Sequence, residues 1–240
     1  MQIMSTSKKY TRILLKVSGE FFLGAQGHLE VMRVQKLAQE ILVLQQQEVQ
    51  VAVVLGAGNF CRGRALTQSG IDTVTADHMG MLATIINALA LKDVLLQHAV
   101  PVEVYSALGV QGVVAAYMRD DALSLLENGF VVICAAGTGN PLVTTDSAAA
   151  LRAIELGADI LLKATKVDGV YAFDPTAHPQ AARFDHLTYD EVIAKSYQVM
   201  DLGAFCLCRE HRMPIRIFNM EIPGIIARIV AGENEGTLIE

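Results

Sequence analysis

Short, unbroken apolar runs recur along this chain with segments of helical period between them, and that order limits the folds open to it. Val51–Leu55 is the clearest run. A continuous β-branched stretch suits a strand buried on both faces, whereas a strand with one wet face alternates. Arg12–Val17, Val102–Tyr105, Phe130–Cys134, Asp159–Leu162 and Ile215–Phe218 read as further strands, and Thr237–Ile239 as a last one. Val34, Leu37, Ala38, Ile41 and Leu44 fall on one helical face. Met81, Leu82, Ile85, Ile86, Leu89 and Ala90 mark another, and Ile225–Val230 a short helix. Strand-helix-strand order implies parallel strands joined by crossover helices. The expected fold is α/β, a three-layer αβα sandwich around a mainly parallel sheet. No Pro/Gly/Ser linker or charge run divides the chain, so residues 1–240 are expected to form a single domain with two lobes, about 1–150 and 151–240.

Composition narrows the function. With 52% hydrophobic residues the chain is not disordered. Lys and Arg number 19 against 25 Asp and Glu, a net charge of −6, so neither a nucleic acid nor an anionic membrane is the natural partner. Apolar stretches such as Phe130–Ala136 fall short of the ~18–20 uninterrupted residues of a membrane span. The start, MQIMSTSKKYTRILLKV, lacks the apolar core of a secretory signal, and a cytoplasmic protein is expected. Cys61, Cys134, Cys206 and Cys208 are too scattered for a disulfide framework, and C-x-C is the wrong spacing for the usual zinc pairs. They read as reduced thiols.

Polar residues collect at the carboxyl ends of the expected strands, where open α/β sheets bind ligands. Lys16-Val17-Ser18-Gly19-Glu20 places a lysine in apolar surroundings, which is costly without an anionic partner. By itself this is equally a snorkelling edge lysine. Gly56-Ala57-Gly58-Asn59-Phe60-Cys61-Arg62-Gly63 follows a buried strand, and closely spaced glycines let backbone N–H groups approach phosphate. Alone the pair of glycines is ordinary turn chemistry; Arg62 makes an anion site plausible. The segment is not a dinucleotide fingerprint, because Cys61 stands where its third glycine would be, and no Gly-Lys pair exists for a Walker A loop. Gly137-Thr138-Gly139-Asn140-Pro141-Leu142-Val143-Thr144-Thr145-Asp146-Ser147 leads into an alanine-rich helix. Thr144 or Thr145 would cap that helix and Asp146 would favour its dipole, while the rest of the loop suits a phosphate or a polar ring. Lys163-Ala164-Thr165-Lys166-Val167-Asp168-Gly169-Val170-Tyr171, then Asp174-Pro175, ends a further apolar strand in lysine. Turn chemistry explains Asp168-Gly169 but not the lysines. Thr188-x-x-Glu191 matches a capping box, a structural helix start.

With KVSGE, GNFCRG, DHMGMLAT, GTGNPLVTTDSAA, KATKVDGVY, DP, VMDLGAF, PIRIFNM and EGTLI in this order, the sequence resembles the bacterial uridylate (UMP) kinase family of the amino acid kinase superfamily, over about residues 10–240. The resemblance implies a homohexamer that transfers the γ-phosphoryl of ATP to UMP in pyrimidine biosynthesis, with Mg²⁺ carried by ATP and UTP as inhibitor. It implies ATP contacts at Lys16, Val17, Ser18, Gly19, Gly58, Arg62, Thr165, Tyr171 and Asp174. UMP would lie against Ala57, Asp77 and Thr138, Gly139, Asn140, Pro141, Leu142, Val143, Thr144 and Thr145, with Asp77 towards the ribose hydroxyls. Lys16, Arg62 and Lys163 would offset charge in transfer, with Asp146 and Asp201 holding the lysines in position. The acceptor side would lie in residues 1–150 and the ATP side in 151–240.

The residue chemistry agrees. A phosphate monoester has a second pKa of about 6, so the acceptor is largely ionised at pH 7 and needs no general base. The obstacle is repulsion between anions, roughly 4 kcal/mol per pair of unit charges ~4 Å apart at an effective dielectric of ~20. Cations in a loose, in-line transition state offset it. Two features depart from the family: Ala57 stands where a third glycine is usual, and Leu23–Glu30 is shorter than the stretch linked to GTP activation, which leaves GTP control open. Competing readings are a sister kinase acting on a carboxylate or carbamate, a nucleotide sensor without phosphoryl transfer, and an NAD-binding module.

Overall fold

The computed structural model describes residues 8–25, 27, 29–60, 63–173, 178, 180–197 and 199–240, and for Arg64 the backbone alone. Cys61, Arg62 and Asp174 therefore lie outside the described residues. In chain order the elements are β1 (Arg12–Val17), a 3₁₀ turn (Gly19–Phe22), α1 (Val31–Gln46), β2 (Gln50–Leu55), α2 (Gly63–Gln68) and α3 (Thr73–Gln97). There follow β3 (Val102–Ser106), β4 (Ala115–Ala116), α4 (Arg119–Glu127), β5 (Val131–Ala135), α5 (Thr145–Glu155), β6 (Ile160–Thr165), β7 (Val170–Tyr171) and β8 (Arg183–Phe184). The chain closes with β9 (His186–Leu187), α6 (Tyr189–Ala194), α7 (Leu202–Glu210), β10 (Ile215–Asn219), α8 (Ile225–Ala231) and β11 (Thr237–Ile239).

The main sheet has nine strands in the order β4-β3-β5-β2-β1-β6-β10-β11-β9, and β7 pairs with β8 as a separate ribbon. Within the main sheet every pairing is parallel except β10 with β11. The expected αβα sandwich is the observed architecture. The period of two along a strand sends alternate residues to opposite layers. From β1, Ile13, Leu15 and Val17 join the core under α1, α3 and α8, while Leu14 joins the one under α4, α5 and α7. By the same alternation Lys16 belongs to the α5 side. The face expected for α1, Val34 to Leu44, is its buried face. Thr188 and Glu191 form the reciprocal capping box at the start of α6.

Helix α3 differs from the sequence reading. Met81 and Ile85 are buried with Ala88, Leu91 and Leu95, but Leu82 is 50% and Ile86 49% exposed. α3 also has the length and mean hydropathy (1.6) of a membrane-crossing helix, although no single run in it is uninterrupted. Half of that apolar window is buried inside the protein. The reason is the same in both cases: α3 is apolar on the face against the sheet and again on its outer face, so periodicity could not choose between them.

Among the described cysteines, Cys134, Cys206 and Cys208 are free thiols. Burial pushes the Cys134 and Cys208 thiols up to about 12.

Candidate active site

Two lysines on adjacent strands define the centre of the cleft. β1 and β6 pair in parallel with Lys16 opposite Lys163. Period-two alternation turns both towards α5, since Leu14 and Leu161 share that layer. There, Asp146 in the first turn of α5 lies 2.7 Å from the Lys16 ammonium through Oδ1 and 2.5 Å from that of Lys163 through Oδ2. Both lysines are 8% exposed. Burial would raise the Asp146 carboxyl, but the two ammonium charges overcome it and hold the group below the usual carboxylate range. Lys163 is pushed below the usual lysine range by burial, and by Lys16, against the pull of Asp146. One carboxylate thus neutralises one of two buried cations. The unbalanced charge faces the cleft, as an anion site in an acidic protein requires.

Local sequence sets the position of Asp146. Thr144 caps α5, its hydroxyl accepting from the Ser147 N–H at 3.1 Å. Ala148, Ala149, Ala150 and Ala153 give the helix a flat face buried against the sheet. Asp201 departs from the expected role. It caps α7 by accepting from the Ala204 N–H at 2.9 Å, and it accepts from the hydroxyls of Ser147 (2.9 Å) and Thr144. Its hydrogen bonds therefore steady the start of α5 rather than the lysines, and it reaches Lys163 only through its field.

The loops after β1 and β2 lie backbone against backbone. A Cβ on Gly19 would stand 2.2 Å from the Gly58 nitrogen, so only glycine allows this approach. The Ser18 hydroxyl accepts from the Glu20 N–H at the turn that follows. Ala57 does not adopt a positive φ, so its methyl is carried without strain and its N–H remains usable. A reciprocal amide pair fixes the second loop from beneath: Asn59 and Asn87 exchange two hydrogen bonds of 2.9 Å, and Asn87 also donates to the Gly56 carbonyl at 2.8 Å.

Two cavities take up most of the expected residues, and the two lysines line the first of them. The first, about 660 Å³, is lined by Lys16, Val17, Ser18, Lys163 and Thr165, together with Glu20, Phe21, Leu23, Arg33, Val167, Met220 and Glu221. It draws on both halves of the chain. Arg33 lies over the Phe21 ring, 5.7 Å from its centroid, and donates to Glu221 at 2.5 Å, which Lys36 also meets at 2.6 Å. The Thr165 hydroxyl is turned inward, its one O–H within reach of the Val167 carbonyl at 2.5 Å and the Phe218 carbonyl at 3.1 Å, and so it lies between β6 and β10. Tyr171 is outside this lining; its hydroxyl donates to Asp168 at 2.5 Å.

The second cavity, about 290 Å³, is lined by Ala57, Asp77, Asn140, Val143, Thr144 and Thr145 from the expected UMP set, and by Gly58, which was expected at ATP. Gly63, Ala76, Gly80, Met81, Thr84 and Gly137 complete it. Asp77 accepts from the Leu142 N–H at 2.7 Å, tying the loop after β5 to α3. Leu142 has a φ of +66° and is 73% exposed. Gly139 takes a φ of +80°, and Thr138 accepts from the Asn140 N–H. Thr138, Gly139, Pro141 and Leu142 are not in the wall of this cavity.

Sequence reasoning missed the Arg33–Glu221 wall, the Asn59–Asn87 pair and the helical floor of Gly80 and Thr84. The last stands within DHMGMLAT, a block quoted for its family likeness without a role for these residues. Arg33 and Glu221 are 188 positions apart and carry no local signal.

Comparison with known proteins agrees with this fold. The model of the amino acid kinase family matches residues 11–219. The chain belongs to the amino acid kinase family. It is 52% identical over 240 residues to the uridylate kinase of Pseudomonas putida, covering 100% of the chain and 97% of that protein. It is 53% identical over 232 residues to the uridylate kinase of Legionella pneumophila (strain Paris), covering 96% and 94%. Among solved structures it resembles the UMP kinase from Bacillus anthracis, with a TM-score of 0.94, 38% identity and 96% of each chain covered. The UMP kinase from Ureaplasma parvum superposes with a TM-score of 0.90 at 33% identity, covering 97% and 99%.

Proposed function

We propose that the chain transfers the γ-phosphoryl group of ATP to UMP, giving UDP and ADP. The observation that carries this reading is the Lys16–Asp146–Lys163 bridge, with both lysines in the wall of the larger cavity. Full-length likeness to proteins named uridylate kinase supports UMP as acceptor. The larger cavity suits ATP, with its phosphates towards Lys16, Lys163, Ser18 and Gly19. The smaller suits UMP, with its phosphate towards Thr145 and the N–H groups of Ala57 and Gly58, and its ribose towards Asp77. The acceptor oxygen attacks the γ-phosphorus in line while the bond to the β-phosphate oxygen breaks, and the electron pair leaves on ADP. The buried lysines offset the charge that gathers on the transferring group. Arg62 would add to this set by resemblance.

The carboxylates nearest the centre are committed: Asp146 to two lysines, and Asp201 to Thr144, Ser147 and the α7 backbone. That donor set fits Mg²⁺ arriving on ATP oxygens rather than in a protein cage. When bound, the ion neutralises phosphate charge beside the lysines. The same reading carries a cytoplasmic place in pyrimidine biosynthesis, UTP as an inhibitor entering through the UMP cavity, and a homohexamer. The exposed Leu82 and Ile86 on α3 offer one surface for assembly.

A coupled assay of ADP release with UMP, CMP, dUMP and glutamate derivatives tests the reaction. Turnover that depends on UMP is expected. Turnover with a carboxylate instead would make the protein a sister kinase, and UMP binding without turnover would make it a sensor.

A further inference from the structure

Helix α3 runs for 25 residues and carries a glycine in its interior, at position 80. Glycine there costs helix stability relative to alanine. Among the described residues nothing asks for it. Gly80 has no positive φ, and a Cβ built on it meets no atom within 4 Å. What lies beside it is the smaller cavity, which it lines together with Asp77 and Thr84. These three residues stand at i, i+3 and i+7 and share one helical face.

The charge distribution says which part of a nucleotide this face meets. A phosphate is drawn to the lysine centre and repelled by the Asp77 carboxylate. The face carrying Asp77 and Gly80 is therefore left for the nucleoside. The cavity is only about 290 Å³, so a side chain projecting from this face takes room from the ligand. Thr84 cannot withdraw to compensate, because its hydroxyl accepts from the Ala136 N–H and donates to the Met81 carbonyl, each at 2.7 Å.

We infer that Gly80 is a specificity-determining residue: its missing side chain is the space into which the sugar and base of the acceptor nucleotide fit. The assignment rests on the reading of this cavity as the UMP site. It also makes an unusual demand, that adding a methyl group should strengthen the fold while weakening the ligand.

The test compares Gly80→Ala and Gly80→Leu with the unaltered protein by thermal melting, UMP calorimetry and steady-state kinetics. For Gly80→Ala the melting temperature should rise by about 2 °C and the KM for UMP by about 10-fold, with the KM for ATP unchanged. Gly80→Leu should weaken UMP binding by about 100-fold or more and still leave ATP binding intact. UMP affinity within 2-fold of the unaltered protein in Gly80→Leu would overturn the inference while leaving the kinase reading in place. So would a changed oligomeric state in ultracentrifugation with UMP affinity preserved, which would make Gly80 a contact between copies. An unaltered protein that neither binds nor phosphorylates UMP would remove the functional reading, and this assignment with it.

Discussion

Replacing Asp146 by asparagine keeps its shape and removes its charge, leaving Lys16 and Lys163 facing each other with no carboxylate bonded to either and only the field of Asp201 on Lys163. Their side chains are 10% exposed and that of Asp146 15%, so solvent screens this change poorly. Removing one partner of a buried ion pair costs about 3–5 kcal/mol. The lower end applies, because Lys163 already lies below the usual lysine range and can shed its proton to relieve the repulsion. About 3 kcal/mol corresponds to a fall in melting temperature of about 6–12 °C for a chain of this size. The pH dependence follows from the signs. Asp146 has a folded pKa below its unfolded value, so its contribution is complete above the ordinary carboxylate range and is lost as pH falls through the folded value. The gap between the two proteins should be full at pH 7 and shrink below about pH 4. On the alkaline side it should narrow again as Lys163, depressed further in the variant, loses its charge. Calorimetric melting from pH 3 to 10 measures all of this. Adding Lys163→Met to Asp146→Asn should recover part of the loss, because one of the two opposed charges is then gone. A gap under about 2 °C at pH 7, or one that stays constant on acidification, would refute the shared-carboxylate argument.

Lys16→Met should lower kcat by about 10²-fold with the fold intact, since Asp146 keeps Lys163 as partner; circular dichroism and single-turnover kinetics check both halves. Asp77→Asn should raise the KM for UMP by about 10-fold and leave ATP unchanged, because the amide oxygen still accepts from Leu142 while the charged acceptor is lost; equal effects on both substrates would misplace the acceptor site. Asn87→Leu should cost about 3 kcal/mol by leaving Asn59 and the Gly56 carbonyl unpaired, and pairing it with Asn59→Leu should cost less than the sum of the two; additive losses in denaturant melts would show that the amides do not act together.

Much of the fold was readable because buried parallel strands and amphipathic helices write their periods directly into the chain. β1 and β11 coincide with the runs expected for them, and the face of α1 was complete. Where two periods coincide the reading failed, as on α3, whose outer face is as apolar as its inner one. The lysines at the ends of β1 and β6 and the threonine cap before Asp146 were visible as local oddities. Their meeting was not, because it depends on β6 lying beside β1 with Lys163 opposite Lys16, a pairing across 147 positions. Asp201 shows the opposite limit: it was expected to hold the lysines, but its hydrogen-bond partners are hydroxyls and a backbone N–H that only the docking of α7 on α5 supplies.

By itself, then, the sequence determined the long buried strands, though not the two-residue strands β4, β7, β8 and β9, and what residue types each strand end carries, since these follow from side-chain period and charge within a few residues. The tertiary structure alone decided that one carboxylate serves two lysines, that Arg33 meets Glu221, and that the floor of the smaller cavity is a glycine. Those are contacts between distant segments, and sheet order, register and helix docking fix them through packing energies that no local window contains.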